Sequence, residues 1–279
     1  MKILMSFMFC LMSFVSVHAE ELSDKFEKLL PVMTAKVEGK EITPKTTAEL
    51  EKLFQTEKGT VPRLFVKKLP KDFAEKGSKE LYAKVLTALI LRENEQILGD
   101  RYLFLILKEK HDKGLEWTQK EKQFFDSLVE KYDAIVLKTV PTKITDLMEK
   151  IDEIPPALAI TQSALQTNWG KENMDSPYAQ KGWLDRETYD FIKYPDLIKA
   201  TEAYASEMNS TPNYEMWRKQ RVRQTYKRTS QASFHMIQSL RTYMPEDVYY
   251  LEKLKKVINE NRFLYQYDKV IFQKSKSKK

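Results

Sequence analysis

The stretch "PPALAITQSALQTNWGKEN", residues 155–173, decides the fold prediction. Two prolines suit the first positions of a helix, and the glycine of the Trp169-Gly170 pair is typical of a helix end. Gln162 and Gln166 lie four residues apart and so share one face of that helix. The pattern therefore predicts a helix that ends abruptly and carries two amides on one side.

Outward from this stretch, the composition favours helices. The chain has 279 residues but only 7 glycines, and lysine, glutamate and leucine are abundant. Apolar residues recur at helical spacing over 79–110, and Thr118 and Glu121 form a capping box before another apolar stripe. Residues 58–78, interrupted by Pro62, Pro70 and Gly77, are interpreted as an extended linker. The predicted fold class is mainly α.

The N-terminal sequence is typical of a secretory signal peptide. Lys2 precedes an uncharged run over 3–17, and Val17-His18-Ala19 provides small residues at the spacing of a cleavage site. An uncleaved anchor helix is the alternative, although the run is short for a membrane span. We expect cleavage after Ala19 and an exported protein of the periplasm or cell envelope, with no transmembrane segment in the mature chain.

The remaining chain divides into predicted regions as follows. A helical region covers 20–150, a second helical domain covers 151–272, and a basic, disordered tail covers 273–279. The net charge of +7 is spread along the chain and by itself indicates no partner. The one dense basic run is the tail, which could be attracted to an anionic polymer or lipid surface. Nucleic acid is not expected, because the chain is exported and has no recognised binding motif.

Several segments resemble the Bax protein family and, more broadly, bacterial peptidoglycan glucosaminidases. "ALAITQSALQTNWG" is similar to their signature A-x-x-x-A-x-E-S-G-W-G, and "KATEAYASEMNSTPNYEMWRKQR" to their block Y-x-x-x-L-N-x-x-x-x-Y-x-x-F-R. "VPRLFVKKLPKDF" and "LTALILRENEQIL" occur in the expected order, so the resemblance covers about 60–270. It implies a lysozyme-like helical domain that cuts or holds the GlcNAc-containing strands of peptidoglycan, to which the helical region over 20–150 adds an N-terminal arm.

The resemblance also assigns the site. Gln166 occupies the position of the catalytic glutamate, Thr167 that of a serine and Asn168 that of a glycine, whereas Trp169 and Gly170 match. A glycoside hydrolase needs a carboxyl group to protonate the leaving oxygen, and an amide cannot do so. Gln166 is therefore a catalytic position without its acid, although an amide could still hold a sugar group.

Further site residues come partly from the same resemblance and partly from the residues themselves. Tyr204 and Tyr214 match tyrosines that line the sugar groove, and Gln162, Trp169 and Trp183 are added as substrate contacts. The N-N-L-F-G-like motif expected after the signature is absent, so the substrate lobe is predicted to be shortened. The acids considered as displaced replacements are Glu172, which is preferred, Asp175, Asp185 and Glu207.

Three functions stay open on the sequence. The first is a glycan-binding cell-wall protein with impaired or absent hydrolysis, which could also scaffold other wall enzymes. The second is an active endo-β-N-acetylglucosaminidase that uses a displaced carboxylate, and the third is a non-catalytic periplasmic scaffold. No residues have metal-ligand spacing and no glycine-rich phosphate loop is present, so neither metal nor cofactor is expected.

Overall fold

A computed structural model of the protein describes residues 19–178, 192–224, 232–241 and 248–274. Over these ranges the chain is mainly helical, as the composition predicted. The helices are α1 (19–33), α2 (Thr47–Leu53), α3 (Phe73–Lys76), α4 (Lys79–Asp112), α5 (Gln119–Lys131), α6 (Val140–Lys150), α7 (Pro156–Thr167), α8 (Leu197–Ser210), α9 (Glu215–Gln224), α10 (Ala232–Met236) and α11 (Tyr250–Glu260). Short 3-10 helices cover Pro212–Tyr214, Ile237–Leu240 and Arg262–Lys269.

The strands of the described chain are short and pair in parallel. They are β1 (Lys40–Ile42), β2 (Thr60–Val61), β3 (Leu64–Val66) and β4 (Ile271–Phe272). β1 pairs with β3, and β2 pairs with β4 in the register Thr60 to Ile271 and Val61 to Phe272. Each pair is a separate two-stranded sheet.

Two compact units divide the chain, and neither is continuous in sequence. The smaller unit contains Met1–Lys36 and Glu95–Asp152, and the larger contains Val37–Asn94 and Glu153–Lys279. The sequence placed one division near residue 150, which is close to the boundary after Asp152. Residues 37–94 nevertheless belong with the C-terminal part, because the β2–β4 pairing and the hydrogen bonds of Asn94 to the backbone of Ile154 join them.

The predicted linker over 58–78 is instead part of the core of the larger unit. It contains strands β2 and β3 and helix α3, and Val61, Phe65 and Phe73 are buried. The prolines end the helical pattern but do not prevent burial, because extended backbone also buries its apolar side chains when it pairs with a neighbouring strand. The linker prediction is therefore wrong.

The smaller unit is held together by an apolar core and by a buried ion pair. Phe26 packs edge-on against Phe124, and the Lys110 ammonium lies 2.6 Å from the Glu121 carboxylate, with both side chains almost fully buried. The predicted capping box of Thr118 and Glu121 is present at the start of α5. α4 contributes its residues from Glu95 onwards to this unit.

The end regions of the sequence lie mostly outside the described residues. The predicted signal peptide reaches them only at Ala19, and residues 275–279 of the basic tail are also not described. Within the described ranges, no helix has both the length and the apolar character needed to cross a bilayer.

Candidate functional site

Helix α7, which carries the candidate site, is fixed at its start by a distant carboxylate. Pro155 is the N-cap residue and has no capping side chain. Asp268 fills this role: it accepts a hydrogen bond from the Ala157 amide at 2.9 Å and one from the Ser233 hydroxyl at 2.7 Å. Burial raises the pKa of Asp268, although these hydrogen bonds act in the opposite direction. The first turn of α7 is thus anchored to the C-terminal 3-10 helix.

The end of α7 has an unusual backbone. Asn168, Trp169 and Gly170 follow the helix with φ values of 48°, 62° and 81°, all in the left-handed region. Asparagine tolerates this region and glycine favours it, whereas a bulky residue such as Trp169 is strained there. Successive left-handed residues at a candidate active-site position are the kind of strain that surrounding contacts must maintain.

Tyr82 of α4 supplies several of these contacts. Its hydroxyl shares hydrogen bonds with Ser163 at 2.7 Å and with Thr167 at 2.9 Å, and its ring packs edge-on against Trp169. The Thr167 hydroxyl also accepts a hydrogen bond from the Gly170 amide at 2.9 Å. Burial raises the pKa of Tyr82 to about 12. Contacts inside the larger unit therefore hold the end of α7 in this conformation.

Trp169, predicted as a substrate contact, is almost buried. Its ring contacts Phe263 at a centroid distance of 6.0 Å, and the Lys79 ammonium lies 4.9 Å from the ring centroid. These neighbours, together with Tyr82, surround the side chain that would have to stack on a sugar ring. In this structure Trp169 serves the packing of the α7 end.

Gln162 does not face outward, in contrast to the expectation from its spacing to Gln166. Its side chain is 3% exposed. The Tyr204 hydroxyl donates to Gln162 Oε1 at 2.6 Å, and Gln162 Nε2 donates to the Tyr250 hydroxyl at 2.9 Å. Both ends of the amide are therefore bound to protein. The spacing argument failed because α8 and α11 pack over this face of α7 and supply polar partners there.

A second aromatic pair extends this network. Tyr178 stacks on Tyr204 with ring centroids 4.2 Å apart and 15° between the planes. Its hydroxyl shares a 3.2 Å hydrogen bond with Thr201, and burial raises its pKa. Tyr204, which the resemblance assigned to the sugar groove, is fully buried beneath Tyr178 and beside Gln162. We define Gln162, Tyr178, Tyr204 and Tyr250 as the amide–tyrosine cluster.

Tyr214 is also fully buried, so it does not line an open groove either. It packs edge-on against the buried Trp217 at a centroid distance of 6.4 Å, and the Arg221 guanidinium lies 4.5 Å from the Trp217 ring centroid. Arg218 donates to the carbonyls of Met208 and Thr211 near the end of α8. The motif "YEMWRKQR" thus builds the junction between α8 and α9.

Gln166 alone of the paired amides lies partly exposed, close to the end of α7. Its backbone carbonyl accepts a hydrogen bond from Asn173 Nδ2 at 3.3 Å. Glu172, the preferred displaced acid, is exposed beyond the helix end. Trp183 and Asp185 lie outside the described residues.

Two of the other candidate acids, Asp175 and Glu207, lie among the described residues. Asp175 is exposed and forms an ion pair with Lys193 at 3.4 Å, and Glu207 is half-buried on α8. Burial raises the pKa of Tyr194, and the charge of Glu207 adds to this effect. No three His, Cys, Asp or Glu side chains of the described ranges are grouped so that they could hold a metal ion.

Sequence reasoning did not identify Tyr82, Tyr178 or Tyr250 as parts of the site. Tyr82 lies in a helical stripe that is typical of ordinary core, and Tyr250 begins α11, 88 residues after its partner Gln162. The sequence does contain one signal for these contacts, which is a polar side chain within an otherwise apolar stripe. A buried phenol or amide requires a hydrogen-bond partner. The sequence gives no indication of which partner.

Comparison with known proteins gives no match: no family model, no curated protein and no solved structure is significantly similar to the chain.

Proposed function

We propose that this chain is a non-hydrolytic protein of the bacterial cell envelope, built on a lysozyme-like glucosaminidase scaffold. The observation that carries the proposal is the amide–tyrosine cluster. Tyr204, which the resemblance places in a sugar groove, and Gln162, a predicted substrate contact, are buried and hydrogen-bonded to each other. A side chain whose polar atoms are already bound to protein gains little from a sugar hydroxyl, because an existing hydrogen bond must first be broken.

The residue at the catalytic position supports the same conclusion. Gln166 has the shape of a glutamate but cannot deliver a proton to a leaving oxygen. Loss of general acid catalysis lowers rates by about 10²–10⁴. Glu172 is exposed to water, so it lacks the apolar surroundings that turn a carboxyl into an acid at neutral pH. Neither residue supports hydrolysis.

The proposed location and partners rest on the sequence. The N-terminal 19 residues support export, and the order of the glucosaminidase-like segments supports a place at the cell wall. The proposed partners are peptidoglycan strands, reached through the partly exposed end of α7 at Gln166, and other wall enzymes that bind the closed scaffold. No nucleic acid partner is proposed.

Restoring the missing carboxyl group tests the proposal. The native protein, the Gln166→Glu variant and the Gln166→Met control are incubated with purified peptidoglycan, and soluble fragments are identified by mass spectrometry. The native protein and the control are expected to release none. If Gln166→Glu alone releases glycans with reducing GlcNAc ends, only the acid is missing. If none of the three proteins releases glycans, the groove is closed as well.

Hydrolysis by the native protein is the outcome that would contradict the proposal. If the native protein releases these glycans, the proposal is refuted, and loss of activity in Glu172→Gln would identify the displaced acid. Sedimentation with insoluble peptidoglycan then separates the two kinds of partner. A native protein that sediments, while Gln166→Met does not, binds glycan at the α7 end. A protein that stays in solution does not bind peptidoglycan, which leaves the scaffold role.

A further inference from the structure

Helix α9 presents two different faces. Trp217, Arg218 and Arg221 are buried, and both arginines donate hydrogen bonds to protein oxygens. The opposite face carries Met216, Lys219, Gln220 and Arg223 at the spacing i, i+3, i+4 and i+7. Such spacing places these four side chains in one stripe along the helix.

This stripe forms one wall of a groove in the larger unit. The other wall comes from α10 and the 3-10 helix that follows it, with His235, Gln238, Ser239 and Arg241. The groove has a volume of about 380 Å³, which lies in the range of small-molecule sites. It lies apart from the amide–tyrosine cluster, since none of the cluster residues lines it.

The charge of the groove is of one sign. Two arginines, a lysine and a histidine line it together with three uncharged polar side chains and one methionine, and none of the described lining residues is acidic. Glu215 forms an ion pair with Lys219 and so offsets part of that charge. Among the described residues, Arg223 and Arg241 form no ion pair, and both are exposed.

Two arginines of this kind favour a particular ligand chemistry. The guanidinium group binds phosphate oxygens through two parallel hydrogen bonds, and uncharged amides and hydroxyls bind the polar body to which a phosphate is attached. The two buried arginines of α9, Arg218 and Arg221, donate hydrogen bonds to backbone carbonyls and so have a structural role. Arg223 and Arg241, in contrast, are exposed residues that line the groove.

We propose that this groove binds the phosphoryl group of a polar ligand, with Arg223 and Arg241 as the principal contacts. Lys219 and His235 add donors, and Gln220 and Gln238 contact the rest of the ligand. The phosphoryl group belongs either to a soluble phosphorylated compound or to an anionic lipid headgroup. The site acts independently of whether α7 supports hydrolysis.

Calorimetry on the mature chain tests the groove with sodium pyrophosphate as the soluble probe. The double variant Arg223→Gln/Arg241→Gln removes both guanidinium groups. Lys28→Gln/Lys122→Gln removes the same charge from exposed positions in the smaller unit and is the matched control. The native protein and the control are expected to bind within about twofold of each other, and the groove variant to lose about tenfold or more in affinity.

Vesicles distinguish the source of the phosphate. Sedimentation is compared for neutral phosphatidylcholine vesicles and for vesicles in which about one third of the lipid is phosphatidylglycerol. Binding of pyrophosphate alone indicates a soluble ligand, and loss of vesicle binding in the groove variant alone indicates a headgroup. The proposal is overturned if the native protein binds neither probe, if both double variants lose affinity equally, or if citrate, a carboxylate probe, binds more tightly than pyrophosphate.

Discussion

A methyl group added at Gly170, at the end of α7, is expected to lower the stability of the protein. Its φ of +81° disfavours any residue with a Cβ atom, and a Cβ built there lies 2.7 Å from two ring carbons of Tyr82 and 2.9 Å from Leu69 Cδ1. The Tyr82 ring cannot retreat easily, because it is fully buried and its hydroxyl is hydrogen-bonded to Ser163 and Thr167. We therefore expect Gly170→Ala to destabilise the larger unit strongly.

Gly59 provides a matched control for this substitution. It belongs to the same unit and has a φ of +79°, but nothing lies within 4 Å of the position that an alanine methyl group would occupy. The left-handed backbone costs about 1–2 kcal/mol for alanine at either site. Overpacking adds about 1–3 kcal/mol at Gly170 alone. The expected loss in the free energy of unfolding is thus about 2–5 kcal/mol for Gly170→Ala and about 1–2 kcal/mol for Gly59→Ala.

Urea denaturation measures this difference. Unfolding is followed by tryptophan fluorescence, which reports on Trp169 beside the substituted glycine and on Trp217 in the same unit, and by circular dichroism. The midpoint of Gly170→Ala should fall well below that of Gly59→Ala at an unchanged slope. Equal midpoints for the two variants would refute the reasoning, because they would show that Tyr82 yields without cost.

Two further predictions concern the buried tyrosines. Tyr204→Phe leaves Gln162 Oε1 without the hydroxyl that donates to it, so the free energy of unfolding measured in urea should fall by about 1–3 kcal/mol. The control Tyr102→Phe, at a partly exposed ring, should change it hardly at all. Equal effects of the two substitutions would contradict the role of the cluster. Burial raises the pKa of Tyr82 and of Tyr267 to about 12, so the folded protein retains these phenol protons to higher pH than the unfolded chain does. The stabilisation is complete below pH 10 and is lost as the pH rises from 10 towards 12, so urea midpoints should fall over that range while tyrosinate absorbance at 295 nm rises; a constant midpoint would contradict this.

The parts of the fold that depend on local sequence could be predicted. The long helix α4, the capping box of Thr118 and Glu121 and the left-handed Asn168 each follow from residues within one or two turns. Gly99 shows the limit of such reasoning. A glycine inside a helical pattern lowers the helix propensity locally, yet α4 is continuous through Gly99. The missing side chain makes room for the carbonyl oxygen of Met33, with which a Cβ atom would collide.

The candidate site could be predicted only in part, because its contacts are distant in sequence. The amide of Gln166 and the helix end at Gly170 are visible in one motif. Whether Gln162 faces a ligand or the protein depends on Tyr204 and Tyr250, which lie 42 and 88 residues away. Hydrophobic periodicity assigns a side chain to a face but does not reveal what covers that face. The basic groove was missed for the same reason, since its walls come from two separate helical segments.

The pairing of β2 with β4 has a consequence for how the protein is made. Thr60 and Val61 leave the ribosome first, and their partners Ile271 and Phe272 follow more than two hundred residues later. At a synthesis rate of about 5–20 residues per second, this delay lasts on the order of 10–40 s. The larger unit cannot be completed before Ile271 and Phe272 have been synthesised. During that interval Val61 and Phe65 are exposed to association with other chains, and protection by a chaperone would be most useful then.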